Sequence, residues 1–448
     1  MGAETSHSTY LKALPCDWEI ARISDVAKVV GGGTPSRDIA AYWHGVIPWV
    51  TPSEVSREES IFLAATREYI SSAGLASSGA TLLPIGALMI TTRATLGARA
   101  ISAAPMTTNQ GFKSLVFADP SDAPFYFYVA DKLKPELKRR ASGTTFLEVS
   151  GSEIADIRVP VPPRAERTQI AQVLDTLDTT IRNTEAIIAK LKLVKQGLLH
   201  DLLTRGIDAN GELRPPQSEA PHLYKASPLG WIPVEWNVVE TAHRCSLITK
   251  GTTPVSNQMW QGEEGVRFLR VDNLSFDGQL NFIASNFRIS TVTHESELMR
   301  SQCLPGDVLT NIVGPPLGKL GLISEESGPI NINQAIALFR PTSDLLSNFL
   351  LTWLGSTLSQ VWLRQRAKQT SGQVNLTLAL CQELPIPDMT LIEQRAIVER
   401  VASSQARIDV EASTLHKLAQ LKSGLMDDLL TGRVRVTPLL AQAPATQP

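Results

Sequence analysis

The chain has 448 residues, with 42 Lys and Arg against 44 Asp and Glu (formal net charge −2) and 43% hydrophobic residues. That length exceeds one ordinary core and fits about two to four domains. The balanced charge says nothing global about partners, so a nucleic-acid binder of this composition has to gather its Lys and Arg on one face. No run of about 18 apolar residues is present, so no membrane span or membrane partner is expected. Cys16, Cys245, Cys303 and Cys381 are scattered without a C-x-x-C pair. That argues against a zinc site or a disulfide framework and fits a reducing, cytoplasmic location.

In chain order, Met1 to Tyr10 is polar and does not read as a signal peptide. A first globular segment, residues 1–162, is mixed α and β. Gly31 to Pro35 reads as a loop, Ala87 to Thr92 as a buried strand, and Pro124 to Leu137 as a packed helix. It closes on Val159-Pro160-Val161-Pro162-Pro163, where proline is expected to end a strand and let a helix begin. Residues 163–205 then carry apolar side chains at Ile170, Leu174, Leu177, Ile181, Ile188, Leu191, Leu198 and Leu202. Steps of four and three alternate, the spacing of a long helix with one narrow seam. Residues 206–229, rich in Pro, Gly, Ser and Glu, read as a surface linker. A second segment, 230–388, has a strand expected at Val308 to Val313, a helix at Leu345 to Arg366, and the Pro-rich step Leu384-Pro385-Ile386-Pro387. Residues 389–433 repeat the seam at Ile397, Val401, Ile408, Leu415, Leu418, Leu425 and Leu429, and the Ala/Pro/Gln tail, 434–448, reads as disordered.

The two halves are copies. The helices are related by a constant shift of 227, from Ile170 to Ile397 and from Leu202 to Leu429. In the heads, Asp17-Trp18 recurs as Glu235-Trp236, Thr34-Pro35 as Thr253-Pro254, Leu96-Gly97 as Leu317-Gly318, Asn109-Gln110 as Asn333-Gln334, and Ser142-Gly143 as Ser371-Gly372. The shift drifts in the heads and is fixed in the rods, so insertions are tolerated only in the heads. Because domain termini tend to lie close together, the second rod is expected to travel back along the first. The fold class expected is α+β: two mixed domains separated by a pair of long antiparallel coiled-coil helices, with a pseudo-twofold internal repeat. Lys195 and Lys422 fall on the seam, either fixing register or snorkelling to solvent.

From about Trp18 to Gly432 the chain resembles the specificity (S) subunits of type I restriction–modification enzymes. The resemblance rests on the doubled rod terminus, Gly197-Leu198-Leu199-His200-Asp201-Leu202-Leu203-Thr204 and Gly424-Leu425-Met426-Asp427-Asp428-Leu429-Leu430-Thr431. Glu166-Arg167 and Glu393-Gln394-Arg395 at the rod entrances also match. The resemblance implies that each head is a target recognition domain reading one half of an asymmetric bipartite double-stranded DNA site. The rods would act as a ruler and as the dock for two methyltransferase subunits, with restriction/translocase subunits completing the complex. It further implies adenine-N6 methylation and restriction directed by a subunit that is not itself catalytic.

Readout of bases needs donors and acceptors on loops that can enter a groove. The candidates in the first head are Thr34, Ser36, Arg37, Arg93, Thr95, Asn109, Gln110, Lys113, Thr144 and Thr145. In the second they are Thr253, Ser256, Arg270, Asn311, Lys319, Asn333, Gln334 and Gln373. The basic clusters Lys138, Arg139, Arg140 and Arg364, Arg366, Lys368 precede the two Ser-Gly loops and are candidates for phosphate contact. No N/D-P-P-Y/F or F-x-G-x-G motif is present, and Gly314 to Leu320 lacks P-loop spacing. No catalytic residue, metal ligand or cofactor is therefore assigned to this chain. S-adenosylmethionine, ATP and Mg are expected to be used by partner subunits. A self-contained DNA methyltransferase and a coiled-coil scaffold with protein-binding heads stand as the alternatives.

Overall fold

The computed structural model describes residues 6–55, 60–93, 95–142, 148–370 and 373–442. The chain forms two compact units, Met1–Ile187 with Glu411–Pro448, and Ile188–Val410. Each unit holds one head together with the near parts of both long helices, Arg164–Thr204 (41 residues) and Leu391–Leu430 (40 residues).

In the first unit the apolar runs build a five-stranded sheet in the order Ala27–Gly31, Phe112–Phe117, Leu88–Thr91, Arg99–Ser102, Phe62–Leu63. The first three pairings are antiparallel and the last is parallel. Helix Ala123–Arg140 packs Phe125, Tyr128, Val129, Leu133 and Leu137 into the core with Leu88, Ile90 and Leu115. In the second unit the matching strands keep the same order: Cys245–Lys250, Ile336–Pro341, Val308–Asn311, Leu320–Leu322. The sequence repeat is thus a repeat of strand order.

Four expectations need correction in whole or in part. Pro160, Pro385 and Pro387 lie inside strands, because Arg158–Val161 pairs with Glu19–Arg22 and Pro385–Asp388 with Asn237–Glu240, whereas Pro162 and Pro163 stand as expected between the strand end at Val161 and the helix start at Arg164. Both are two-stranded sheets, so every strand is an edge and a missing N–H is tolerated. The single helix expected over Leu345 to Arg366 is two, Ser347–Gly355 and Thr357–Arg366. Ser356 turns extended (φ −70°, ψ 151°) and its hydroxyl accepts from Ser359 N at 3.2 Å, capping the second helix. The segment 206–229 is no surface linker, since Ile207, Arg214 and Tyr224 are buried and Tyr224–Ser227 pairs with Gly230–Pro233. The tail is likewise ordered as far as it is described. Val436 is buried and Thr437–Gln442 is helical, while residues 443–448 lie outside the described part.

All fifteen predicted seam residues are buried or half-buried, whereas Ile187, Leu193, Val194, Val410 and Leu421, off the seam, are exposed. Within the first unit Ile170 and Leu174 share a core with Leu425 and Leu429. Within the second, Leu198 and Leu202 share one with Val401 and Ile397. In each unit the helix segments therefore run antiparallel. Both seam lysines take partners across the seam rather than snorkelling. Lys422 pairs with Asp178, which also accepts from the buried Tyr128 hydroxyl at 2.9 Å. Lys195 Nζ donates to Gln405 Oε1 at 2.6 Å. Asp178 and Gln405 are themselves related by the 227 shift.

An arginine clasp ties each head to both rods. Arg214 pairs with Glu235 (2.7 Å) and with Glu393, and Trp236 Nε1 and Ile207 N donate to Glu393 at 2.9 and 2.8 Å. In the first unit Arg435 pairs with Asp17 (2.8 Å) and with Glu166. Gly206 (φ +66°) and Gly432 (φ +67°) let each rod end turn left-handed against these groups. A Cβ on Gly206 would sit 2.3 Å from both Glu393 Oε1 and Trp236 Cζ2.

Candidate nucleic-acid interface

In the first head three loops leave the same end of the main sheet. The strand Ala27–Gly31 runs into Gly32-Gly33-Thr34-Pro35, the strand Leu88–Thr91 into Thr92 to Gly97, and Asn109 to Gly111 leads into Phe112–Phe117. They are locked together through the backbone: Gly33 N donates to Thr108 O at 2.9 Å and Thr92 N to Gly111 O at 2.8 Å. A Cβ on Gly32 would lie 2.0 Å from Asn109 O, so only glycine permits this crossing. The hydroxyl of Thr34 donates to Gln110 Oε1, and both residues are exposed. Arg93, half-buried, pairs by backbone with Glu148, whose carboxylate lies 3.6 Å from Lys113 Nζ. Thr95 is exposed. The structure thus gathers Thr34, Arg93, Asn109, Gln110 and Lys113. Thr144 and Thr145 lie outside the described residues.

Arg37 is held differently. Its guanidinium sits 3.8 Å from the Trp43 ring centroid and is bidentate to Glu68, with Nη2 to Oε2 at 2.9 Å. The hydrogen bond to Arg37 depresses the Glu68 carboxyl below its ordinary pKa and raises that of Arg37. Trp43 Nε1 donates to Ser36 O and Trp49 Nε1 to Gly33 O, each at 2.9 Å, so the two indoles buttress the Gly-Thr-Pro loop. Beside them a cavity of about 330 Å³ is lined by Arg37, Trp43, His44, Arg67, Glu68 and Tyr69. His44 has φ +59°, the one left-handed non-glycine among the described residues. Sequence reasoning missed Trp43, Trp49 and Glu68. The Trp-x5-Trp spacing beside the loop was the available signal for the indoles, and Glu68 had none.

In the second head the equivalent crossing recurs, with a Cβ on Gly251 placed 1.9 Å from Ile332 O and 2.3 Å from Asn333 O. Thr253, Ser256, Arg270 and Gln334 are exposed, and Arg270 stands 5.1 Å from the Phe287 ring centroid. Lys319 is half-buried, with Nζ 3.5 Å from Val271 O. Lys368 and Gln373 supply backbone to the pairing of Lys368–Thr370 with Gln373–Asn375, and their side chains are outside the described part.

Several candidates prove to be framework. Asn311 is fully buried; its amide donates to Val313 O (3.1 Å) and Pro316 O (2.9 Å) and its carbonyl accepts from Gly318 N (3.0 Å) and Lys319 N (2.9 Å). Every hydrogen bond it can make folds its own loop, so none remains for a base. Asn109 and Asn333 accept from Gly111 N (2.9 Å) and Ala335 N (3.2 Å), holding the same turn in both heads. Arg139 and Arg140 surround the buried carboxylate of Glu136 at 2.6 to 2.8 Å, and Arg140 also reaches Glu153 at 2.9 Å. Arg140 is thereby taken up by internal carboxylates, while Arg139 stays exposed beside Glu136. Lys138, Arg364 and Arg366 are exposed, with Arg366 4.3 Å from the Trp362 ring centroid.

Residues 15–193 match the family described as the type I restriction modification DNA specificity domain. The chain is 24% identical over 439 residues to the type I restriction enzyme MjaVIII specificity subunit of Methanocaldococcus jannaschii, covering 95% of each. It is 34% identical over 177 residues to the MjaIX specificity subunit of the same organism, a match that spans 39% of this chain and 41% of that protein. Along nearly its whole length the chain is thus similar to a type I restriction–modification specificity subunit, and residues 15–193 carry the match to the DNA specificity domain. Solved structures share the specificity-subunit fold. A chain from a type I restriction–modification system aligns over 94% of this chain and 99% of its own at TM-score 0.58 and 19% identity. The S subunit from M. genitalium aligns over 93% and 98% at TM-score 0.53 and 14% identity.

Proposed function

We propose that this chain is the non-catalytic DNA-reading subunit of a type I complex, binding an asymmetric bipartite site in double-stranded DNA. The observation that carries this reading is that two heads sharing the order of four main-sheet strands each expose a glycine-crossed polar loop cluster, while the unshared residues around it differ. A common frame with different loops reads two different half-sites. Methyltransferase subunits dock on the rods and deliver adenine-N6 methylation, and restriction/translocase subunits add cleavage. S-adenosylmethionine, ATP and Mg are bound by those partners.

The test is to combine the purified chain with its methyltransferase partner and S-adenosylmethionine and map methylated adenines on genomic DNA. A bipartite, asymmetric motif is expected. Methylation without such a motif, or no DNA binding by the assembled complex, refutes the reading; the latter favours heads that bind protein.

A further inference from the structure

Asn-Gln is one of the few dipeptides the two heads share, and the structure separates its two residues. Asn109 and Asn333 are explained by the turn they hold. Gln110 and Gln334 are exposed on those same turns. In the first head the Thr34 hydroxyl donates to Gln110 Oε1 and so sets the amide's orientation, leaving both Nε2 hydrogens and one Oε1 lone pair to face outward. Thr253 stands in the corresponding loop of the second head, which packs on the Asn333 turn through Gly251. An exposed glutamine kept at the same place in two heads that otherwise differ, and oriented by Thr34 in the first, points to something the two half-sites have in common. If both half-sites are methylated on adenine N6, each must contain an adenine. That is the one base two unlike half-sites are obliged to share.

Resting on the DNA-reading function above, we propose that Gln110 and Gln334 are specificity-determining residues that read the methyl-accepting adenine of their own half-sites, the amide donating to N7 and accepting from N6–H in the major groove. Glutamine is one of the two side chains whose amide matches that edge bidentately. Recognition precedes methylation, so the contact belongs to the complex formed without S-adenosylmethionine.

The test uses the complex of the full chain with its methyltransferase subunits, without S-adenosylmethionine, on a duplex carrying the mapped motif. The probe is the same duplex with 7-deazaadenine at the methyl-accepting position of one half-site. For the half-site read by the first head, this change is expected to weaken wild-type binding roughly 10-fold, and Gln110→Ala to weaken binding of the native duplex by a similar factor. The two together are expected to be no weaker than either alone. Gln334→Ala behaves likewise for the other half-site only. Because both side chains are exposed, the melting temperatures of the variants stay at the wild-type value. Losses that multiply, or a Gln110→Ala complex that binds as wild type, overturn this proposal while leaving the DNA-reading function intact. A wild-type complex that binds no bipartite duplex overturns both.

Discussion

Glu393 is the residue whose removal separates the two clasps most sharply. Its carboxylate accepts from Arg214, from Trp236 Nε1 and from Ile207 N, and Arg214 is 7% exposed. In Glu393→Ala, Arg214 keeps Glu235, whose side chain is 70% exposed, and the Arg205 carbonyl at 3.2 Å, while two buried N–H groups lose their acceptor. Breaking a buried ion pair from one side costs about 3–5 kcal/mol. The remaining Glu235 contact sets the expectation at the lower end, about 3 kcal/mol. For a unit of the size of Ile188–Val410, where 1 kcal/mol moves Tm by about 2–4 °C, the transition of that unit should fall by roughly 6–12 °C. Glu166→Ala removes only the bonds to Arg435, whose side chain is 28% exposed and which keeps Asp17. Its expected cost is about 1 kcal/mol. Differential scanning calorimetry of the two variants reads both numbers. A Glu166→Ala shift as large as that of Glu393→Ala, or a Glu393→Ala shift under about 2 °C, refutes the reasoning.

Asp178→Ala should destabilise by about 2–3 kcal/mol in chemical denaturation, because it strands both Lys422 and the buried Tyr128 hydroxyl. Lys195→Met, facing neutral Gln405, should cost less than about 1 kcal/mol. Asn311→Ala leaves two loop N–H groups without an acceptor and should cost about 3 kcal/mol in a thermal melt, with no direct role in DNA affinity. Arg139, and then Arg140, hold Glu136 down at about 2 from its ordinary 4.5. A depressed folded value means the stabilisation is complete above pH 4.5 and is lost as pH falls towards 2. Glu136→Gln should therefore flatten the stability profile between pH 4.5 and 2; an unchanged slope would show that the pair contributes nothing.

The rods were legible because a seam is a local periodicity: a helix places residues three and four apart on one stripe whatever surrounds it. All fifteen seam positions followed from spacing alone. The doubled Asp17-Trp18 and Glu235-Trp236 were equally visible, but their arginine partners were not. Arg214 lies in a segment whose Pro, Gly and Ser content mimics a linker, and Arg435 in one that mimics a tail, and the two do not share the 227 shift. Nothing local marks a residue as one arm of a clasp closed across 179 or 269 positions.

The candidate interface divides along the same line. Residue type and recurrence nominated Asn311, Arg139 and Gln334 on equal terms, since each carries hydrogen-bonding groups near a loop. Only the folded arrangement shows that Asn311 spends its amide on its own loop, that Arg139 serves a buried carboxylate, and that Gln334 is left facing outward. The order of elements, the repeat and the rods were determined by sequence because they depend on neighbours a few residues apart. Which polar groups are still available to a ligand was decided by tertiary structure, because a hydrogen bond is used up by whatever the fold brings to it.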